Sequence, residues 1–152
     1  MANDISILNR LVETSKDGEK GFATAAEDTK NPELKSIFRK RSQDCARGAT
    51  ELQQLIASYG GKPEEGGSVT GALHRGWVNL RSAVSTRDDL AILEECERGE
   101  DVAKAAYRKA LEDDSLTADE RNVVQRQYDG VVRNHDQIRD LRDRYKAAKA
   151  SA

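Results

Sequence analysis

The residues best suited to chemistry are two acidic side chains that interrupt the apolar stripe of a predicted helix. They lie in the stretch ILEECERGEDVAKAAY, which runs from Ile92 to Tyr107. At helical spacing Glu97 and Glu100 fall on the same face as Leu93. Carboxylates are seldom buried without a partner. A partner is therefore expected opposite these two glutamates, and three kinds of partner fit.

A divalent metal is the first kind of partner. Hard or borderline divalent metals accept carboxylate oxygen together with imidazole nitrogen, and the interior of a helical bundle holds such ligands rigidly. Iron or manganese would be the metal. The ligands predicted from the sequence are Glu19, Glu97, Glu100 and His135.

Arginine is the second kind of partner, and water is the third. An inward Arg41 or Arg47 would form an ion pair with one of the two glutamates and would repel a cation. If the glutamates instead reach solvent, they pair weakly with Arg98 or Lys104 on their own helix. The sequence leaves the three alternatives open.

Patterns for nucleophilic catalysis are missing from the sequence. Its two histidines are far apart, and no Ser/His/Asp arrangement or glycine-rich phosphate loop is found. We therefore predict no catalytic residues and no cofactor-binding residues beyond the metal ligands.

Two long helices are predicted in the first part of the chain. The first begins near Asn3 or Asp4, and the pair Asn31-Pro32 ends it. Asparagine caps a following helix and proline is favoured at the first helical position, so a second helix begins at once, antiparallel to the first. The glycine-rich stretch YGGKPEEGGS ends the second helix.

One short helix and two more long helices are predicted after this turn. The short helix, from Ser68 to about Ser85, is indicated by the apolar residues Val69, Leu73, Trp77, Leu80 and Val84. The segment STRDD offers caps for a third long helix that reaches about Leu111. A capping box formed by Thr117 and Glu120 begins the fourth.

This order predicts an all-α fold, a ferritin-like four-helix bundle whose long crossover contains a short fifth helix. The whole chain, residues 1–152, is expected to form a single domain. Each long helix interrupts its apolar stripe near its middle, so these polar residues could meet in one layer. They are Ser15, Glu19, Arg41, Asp44, Glu97, Glu100, Gln127 and His135.

Composition argues against several partners. With 25 basic and 27 acidic residues mixed along the chain, no one-signed surface is available for nucleic acid or anionic lipid. No stretch is apolar enough to span a membrane, and the N-terminus lacks the features of a signal peptide, so a cytoplasmic protein is expected. In that reducing compartment Cys45 and Cys96 are predicted to be small buried hydrophobes.

Four stretches carry a resemblance to known proteins: LNRLVETSKDGEKGFATAAED, GSVTGALHRGWVNL, AILEECERGEDVAKAAYRKAL and RQYDGVVRNHDQIRDLRD. Through them the chain resembles, over nearly its full length, a family of small bacterial four-helix-bundle proteins of unknown function that are grouped with the ferritin-like proteins. The resemblance implies a non-enzymatic bundle protein, associated with stress. The alternative is a metal-binding ferritin-like carboxylate protein.

The ferritin-like di-iron pattern is incomplete in this chain. The resemblance implies that Glu19 stands for the first-helix glutamate, Glu97 or Glu100 for the third-helix one, and His135 for the fourth-helix histidine. The second helix holds no histidine, and Val132 occupies the place of the glutamate expected three residues before His135. At most an incomplete or mononuclear site is therefore implied.

A homodimer is the predicted assembly. Closed twofold dimers are the commonest oligomers, and the short fifth helix would have spare apolar surface outside a four-helix core. Within that helix, Trp77 is expected to pack in the core, with His74 and Arg75 facing water.

Overall fold

The computed structural model describes residues 2–63, Trp77 and residues 88–151. These residues form four α-helices and, within the described ranges, no strand. The helices are α1 (Ala2–Asp28), α2 (Pro32–Ser58), α3 (Asp89–Leu111) and α4 (Ala118–Ser151). The predicted all-α class and helical bundle are confirmed. The predicted fifth helix, with Val69, Leu73, Leu80 and Val84, lies outside the described residues apart from Trp77.

Local capping explains where α2 begins and ends. The Asn31 side chain accepts hydrogen bonds from the backbone N–H groups of Glu33 and Leu34, at 2.8 and 3.2 Å. Pro32 follows at the first helical position, where a missing N–H costs nothing. Beyond the helix, Gly60 adopts a left-handed φ of 76° that other residues rarely take.

The second helical hairpin is capped in the same way. Asp88 accepts a hydrogen bond from the N–H of Leu90 at 3.1 Å and so begins α3. At the start of α4, the Glu120 carboxylate accepts from the Thr117 N–H at 2.7 Å, and the Thr117 hydroxyl accepts from the Glu120 N–H at 3.2 Å. These reciprocal bonds confirm the predicted capping box.

Two apolar clusters form the core, and all four helices contribute to each. One contains Phe22, Ala25, Ala26, Leu34, Phe38, Cys45, Trp77, Ile92, Leu93, Cys96, Ile138 and Leu141. The other contains Leu8, Leu11, Val12, Leu52, Ile56, Tyr107, Ala110, Leu116, Val124 and Val131. Around the bundle α1 packs on α2 and α3, and α3 packs on α4, whereas α2 and α4 contact each other least. The seam between α2 and α4 is thus the most open of the four.

The side chain of Trp77 fills the space between α1 and α3. It is 5% exposed, and its ring meets that of Phe22 edge-on, with the centroids 5.1 Å apart. A Cβ atom on Gly21 would lie 2.6 Å from the indole, and one on Gly99 would also overlap it. Glycine at both positions is therefore needed for the indole to lie between the helices. The prediction that Trp77 packs in the core is confirmed, and His74 and Arg75 lie outside the described residues.

Both cysteines are buried and unbridged, as the sequence predicted. Burial raises the pKa of Cys45 to about 12 and that of Cys96 well above its usual value. The thiols are therefore protonated, unreactive side chains that pack in the core. Charged side chains recur along the four described helices, and none of these helices has a stretch apolar enough to span a bilayer.

Two carboxyl groups meet where α1 and α4 begin. Glu120 is 0% exposed and Asp4 is 2% exposed. Burial raises the pKa of Glu120; the hydrogen bond from the Thr117 N–H opposes this shift, and the neighbouring carboxyl group of Asp4 adds to it. The capping glutamate of α4 is therefore held in a site that favours its protonated form.

Replacing Gly99 by alanine should push Trp77 out of its place between the helices. We expect a loss of about 1–3 kcal/mol in the free energy of unfolding, because the added methyl group overlaps the indole. Trp77 is the only tryptophan, so its fluorescence should shift to longer wavelength. Gly130→Ala is the matched control, since its Cβ would meet only the end of the Arg133 side chain, at 3.7 Å. Equal stability and emission of the two variants would contradict this account of Trp77.

Replacing Glu120 by glutamine should change how stability depends on pH. Because the folded-state pKa of Glu120 is raised, the native state holds more protons than the unfolded state above the ordinary value of 4.5. The contribution of Glu120 to stability is therefore largest below 4.5 and falls as pH rises through its folded-state pKa. Glu120→Gln keeps the capping acceptor, so its stability relative to the wild type should increase with pH. Chemical denaturation from pH 4 to 8 measures this difference, and a difference that is independent of pH would refute it.

Candidate functional site

A buried ion pair between α2 and α3 occupies the middle of the bundle. Arg41 donates to Glu100 through Nε at 2.8 Å and through Nη2 at 3.4 Å. Their side chains are 11% and 2% exposed. Asn134 of α4 donates a further hydrogen bond of 2.7 Å to Oε1 of Glu100. Glu100 is thus held by an arginine and an amide, which is the second of the three alternatives drawn from the sequence.

A chain of hydrogen bonds runs beside this ion pair and joins all four helices. Tyr107 donates to Oε1 of Gln127 at 2.7 Å, and the Ser15 hydroxyl lies 3.3 Å from the Tyr107 oxygen. Gln127 in turn donates to Glu51 at 2.7 Å and to the carbonyl of Gly48 at 3.2 Å. Because Tyr107 donates to Gln127, the Ser15 hydroxyl must donate to Tyr107. Burial raises the pKa of Tyr107 to about 12, so this hydroxyl keeps its proton.

A different cluster lies at the edge between α3 and α4. Glu97 and Asp101 are one helical turn apart on α3, and both face His135 of α4. The Nε2 atom of His135 lies 2.7 Å from Oδ1 of Asp101 and 3.8 Å from Oε2 of Glu97. The side chains of His135 and Glu97 are 8% and 13% exposed, whereas that of Asp101 is 59% exposed. The site is therefore open to solvent on the Asp101 side.

The second nitrogen of the His135 ring is also held by a carboxylate. Its Nδ1 atom lies 3.1 Å from Oδ1 of Asp136, and this hydrogen bond lowers the pKa of Asp136. A proton on Nδ1 leaves the Nε2 lone pair facing Asp101 and Glu97 when the ring is neutral. With a second proton, the ring would instead donate to carboxylates on both sides.

Arg142 of α4 binds the far side of the cluster. Its guanidinium pairs with Oε1 of Glu97, while Oε2 of the same carboxylate faces His135. The two oxygens of Glu97 thus have different neighbours. This arginine is neither Arg41 nor Arg47, and Arg47 pairs with Asp44 instead. The predicted pairing of an inward arginine with one of the two glutamates is thus met by Arg41 and Glu100, and Arg142 is a partner of Glu97 that was not predicted from the sequence.

The structure brings together two of the four predicted metal ligands. Glu97 and His135 belong to the group in which one ligand atom from each of Glu97, Asp101 and His135 lies within 4.8 Å of the others. Glu100 lies outside this group, with Arg41 as its partner. Glu19 also lies outside it and has its side chain 35% exposed, 3.7 Å from Lys16. Asp101 was missed, although its position four residues after Glu97 was a visible signal.

Removing the charge of Glu100 should destabilise the protein without any metal. Glu100→Gln leaves the buried guanidinium of Arg41 without its counter-charge, which should cost about 3–5 kcal/mol in the free energy of unfolding. The double variant Arg41→Gln/Glu100→Gln has no unpaired charge and should lose less. Thermal melts with and without chelator measure both. A Glu100→Gln variant as stable as the wild type, or a loss seen only without chelator, would exclude a metal-free pair.

Comparison with known proteins identifies the family of the chain. No curated protein matches the sequence. A family model described as a domain of unknown function (DUF2383) matches residues 3–113. The match includes nearly all of α1, all of α2 and α3, and therefore Arg41, Glu97, Glu100 and Asp101, but it ends before His135. Since more than half of the chain is matched, the protein belongs to the DUF2383 family.

Proposed function

We propose that the protein is a ferritin-like bundle that binds one divalent first-row metal ion at Glu97, Asp101 and His135. Two carboxylates and one imidazole suit iron(II), manganese(II) or zinc(II). The observation that carries the proposal is the grouping of one ligand atom from each residue within 4.8 Å. Three protein ligands leave coordination positions for water, which can enter beside the exposed Asp101.

The orientation of His135 supports this function. A histidine that binds a metal through one ring nitrogen usually donates the N–H of the other to a carboxylate or carbonyl. Oδ1 of Asp136 lies 3.1 Å from Nδ1 and can accept such a bond when Nδ1 carries the proton, while Nε2 is directed toward the two other carboxylates. Asp136 thus orients the ring. A metal ion would replace a proton between Nε2 and Asp101.

Arg142 pairs with Glu97 and so lowers the affinity expected for a metal ion at this site. Its positive charge lies on Oε1 of Glu97, so it weakens the attraction of that carboxylate for a cation. Oε2 of Glu97 is still directed toward His135 and can act as a ligand. We therefore propose a site of moderate affinity.

A second metal ion is not part of this proposal. In ferritin-like dinuclear sites, Glu100 would be a further ligand, but its oxygens are taken by Arg41 and Asn134. The same ion pair favours a second candidate function, a non-enzymatic, metal-free bundle protein that acts through a partner. Elemental analysis of protein purified without chelator separates the two candidates.

Metal binding should require His135 and should not require Glu19. We expect metal-free protein to bind about one equivalent of Mn²⁺, Fe²⁺ or Zn²⁺ in calorimetric titrations, and His135→Ala to bind none. Asp136→Asn should bind about 10–100-fold more weakly, because it orients the ring without contacting the metal. Glu19→Gln is the control for loss of a negative charge, and its affinity should equal that of the wild type. Metal binding that survives in His135→Ala, or is lost in Glu19→Gln, would refute the site.

Removing Arg142 should strengthen metal binding. Arg142→Gln frees Oε1 of Glu97 and removes a positive charge next to the site. An increase of about 3–10-fold in affinity is expected for a partly exposed charge at this distance. The control is Arg144→Gln, which removes an exposed arginine that pairs with Glu33. Equal affinities in the wild type and both variants would show that the metal does not bind at Glu97.

A further inference from the structure

A cavity of about 1010 Å³ opens along the seam between α2 and α4. It extends inward to the rings of Phe22, Trp77 and Tyr107, and Arg41 and Glu100 also line it. The three proposed metal ligands, Glu97, Asp101 and His135, do not line it. Its volume is that of a pocket for a small organic molecule. It is therefore a second place, separate from the metal cluster, where a ligand can bind.

Glycines on both helices widen the mouth of this cavity. A Cβ atom on Gly48 would have its nearest neighbour at 3.6 Å, and one on Gly130 at 3.7 Å, which are ordinary contact distances. Close packing therefore does not require glycine at either position, in contrast to Gly99 beside Trp77. Glycine within a helix costs about 1 kcal/mol relative to alanine. At Gly48 and Gly130 this cost accompanies open space at the mouth of the cavity.

Arg41 presents unused hydrogen-bond donors to the cavity. A guanidinium has five N–H donors, and the bonds to Glu100 use two of them. The others have no hydrogen-bond partner among the described residues, and none of the Arg41 nitrogens is both buried and unsatisfied. The side chain as a whole is 11% exposed, so these donors are accessible from the cavity. A bound anion would complete their hydrogen bonding.

The charges around the cavity also favour an anion. The cationic residues that line it are Lys40, Arg41, Arg47, Arg126 and Arg133. The acidic residues that line it are Asp44, Glu51 and Glu100, so the described part of the lining has two more positive than negative charges. The whole chain, in contrast, has a formal charge of -2. The net charge of these lining residues is thus opposite in sign to that of the whole chain.

We propose that this cavity binds a small aromatic carboxylate. The carboxylate would accept hydrogen bonds from the free edge of Arg41, a geometry that arginine and carboxylate groups match well. The aromatic body would contact Phe22 and Trp77, whose rings already meet edge-on. A single negative charge suits the site better than a phosphate dianion, since Glu100 and Asp44 are close by.

The test uses two probes that share an aromatic body and differ in the polar end group, a carboxylate in one and a hydroxyl in the other. 3-Phenylpropionate and 3-phenylpropanol share one aromatic body, and neither absorbs where Trp77 is excited. They are titrated into the full chain in chelator, so that failure of the metal proposal would leave the result unaffected. We expect the carboxylate to bind and to change the Trp77 emission, and the alcohol to bind about tenfold or more weakly. Equal binding of the two probes, or no binding of either, would overturn the proposal.

Two variants identify where the carboxylate binds. Arg41→Gln/Glu100→Gln leaves no unpaired buried charge, and it should bind 3-phenylpropionate about tenfold or more weakly while its affinity for the alcohol is unchanged. Gly130→Leu places a large side chain at the mouth of the cavity, where an added Cβ atom meets only Arg133 at 3.7 Å, and should lose binding of both probes while the higher helix propensity of leucine supports the fold. Arg144→Gln, an arginine outside the cavity, controls for loss of a positive charge and should bind normally. Wild-type affinity in the first two variants would exclude this cavity as the site.

Discussion

The buried ion pair of Arg41 and Glu100 is the interaction on which the interior of this bundle depends. It joins α2 to α3, and the hydrogen bond from Asn134 adds α4. Both charges are almost fully buried, so each is tolerable only because the other is present. The pair also determines the chemistry around it. It leaves Glu100 with its charge balanced by an arginine, and it directs the unused donors of Arg41 toward the open seam between α2 and α4.

The packing between α1 and α3 differs from that between α2 and α4. Between α1 and α3 the space is filled by the Trp77 indole, which lies against Gly21 and Gly99. Between α2 and α4, Gly48 and Gly130 lie beside a cavity, and Gln127 bridges the helices through Glu51 and the Gly48 carbonyl. Glycine thus has opposite consequences on the two sides among the described residues: Gly21 and Gly99 make room for an indole, whereas Gly48 and Gly130 lie beside open space.

The cluster of Glu97, Asp101 and His135 is a consequence of where α4 lies against α3. Asn134 and His135 are neighbours in sequence and point about 100° apart around the helix. Asn134 therefore faces inward to Glu100, and His135 faces the edge with Asp101 and Glu97. A rotation of α4 by about 100° would be needed to bring His135 to the place of Asn134. The hydrogen bonds of Tyr107, Gln127 and Ser15 oppose such a rotation, because they connect α4 to two other helices.

The sequence by itself determined the four described helices and the caps at which the second and fourth begin. The caps at Asn31 and at Thr117 with Glu120 depend on bonds within three residues, so they could be predicted from local pattern. It did not determine which partner each polar side chain meets. Glu97 and Glu100 look alike in the pattern, yet one pairs with Arg142 and the other with Arg41. Those partners come from different helices, and periodicity along one helix contains no information on how its neighbours are rotated or shifted against it. Only the tertiary structure decides that, and with it the cluster of Glu97, Asp101 and His135.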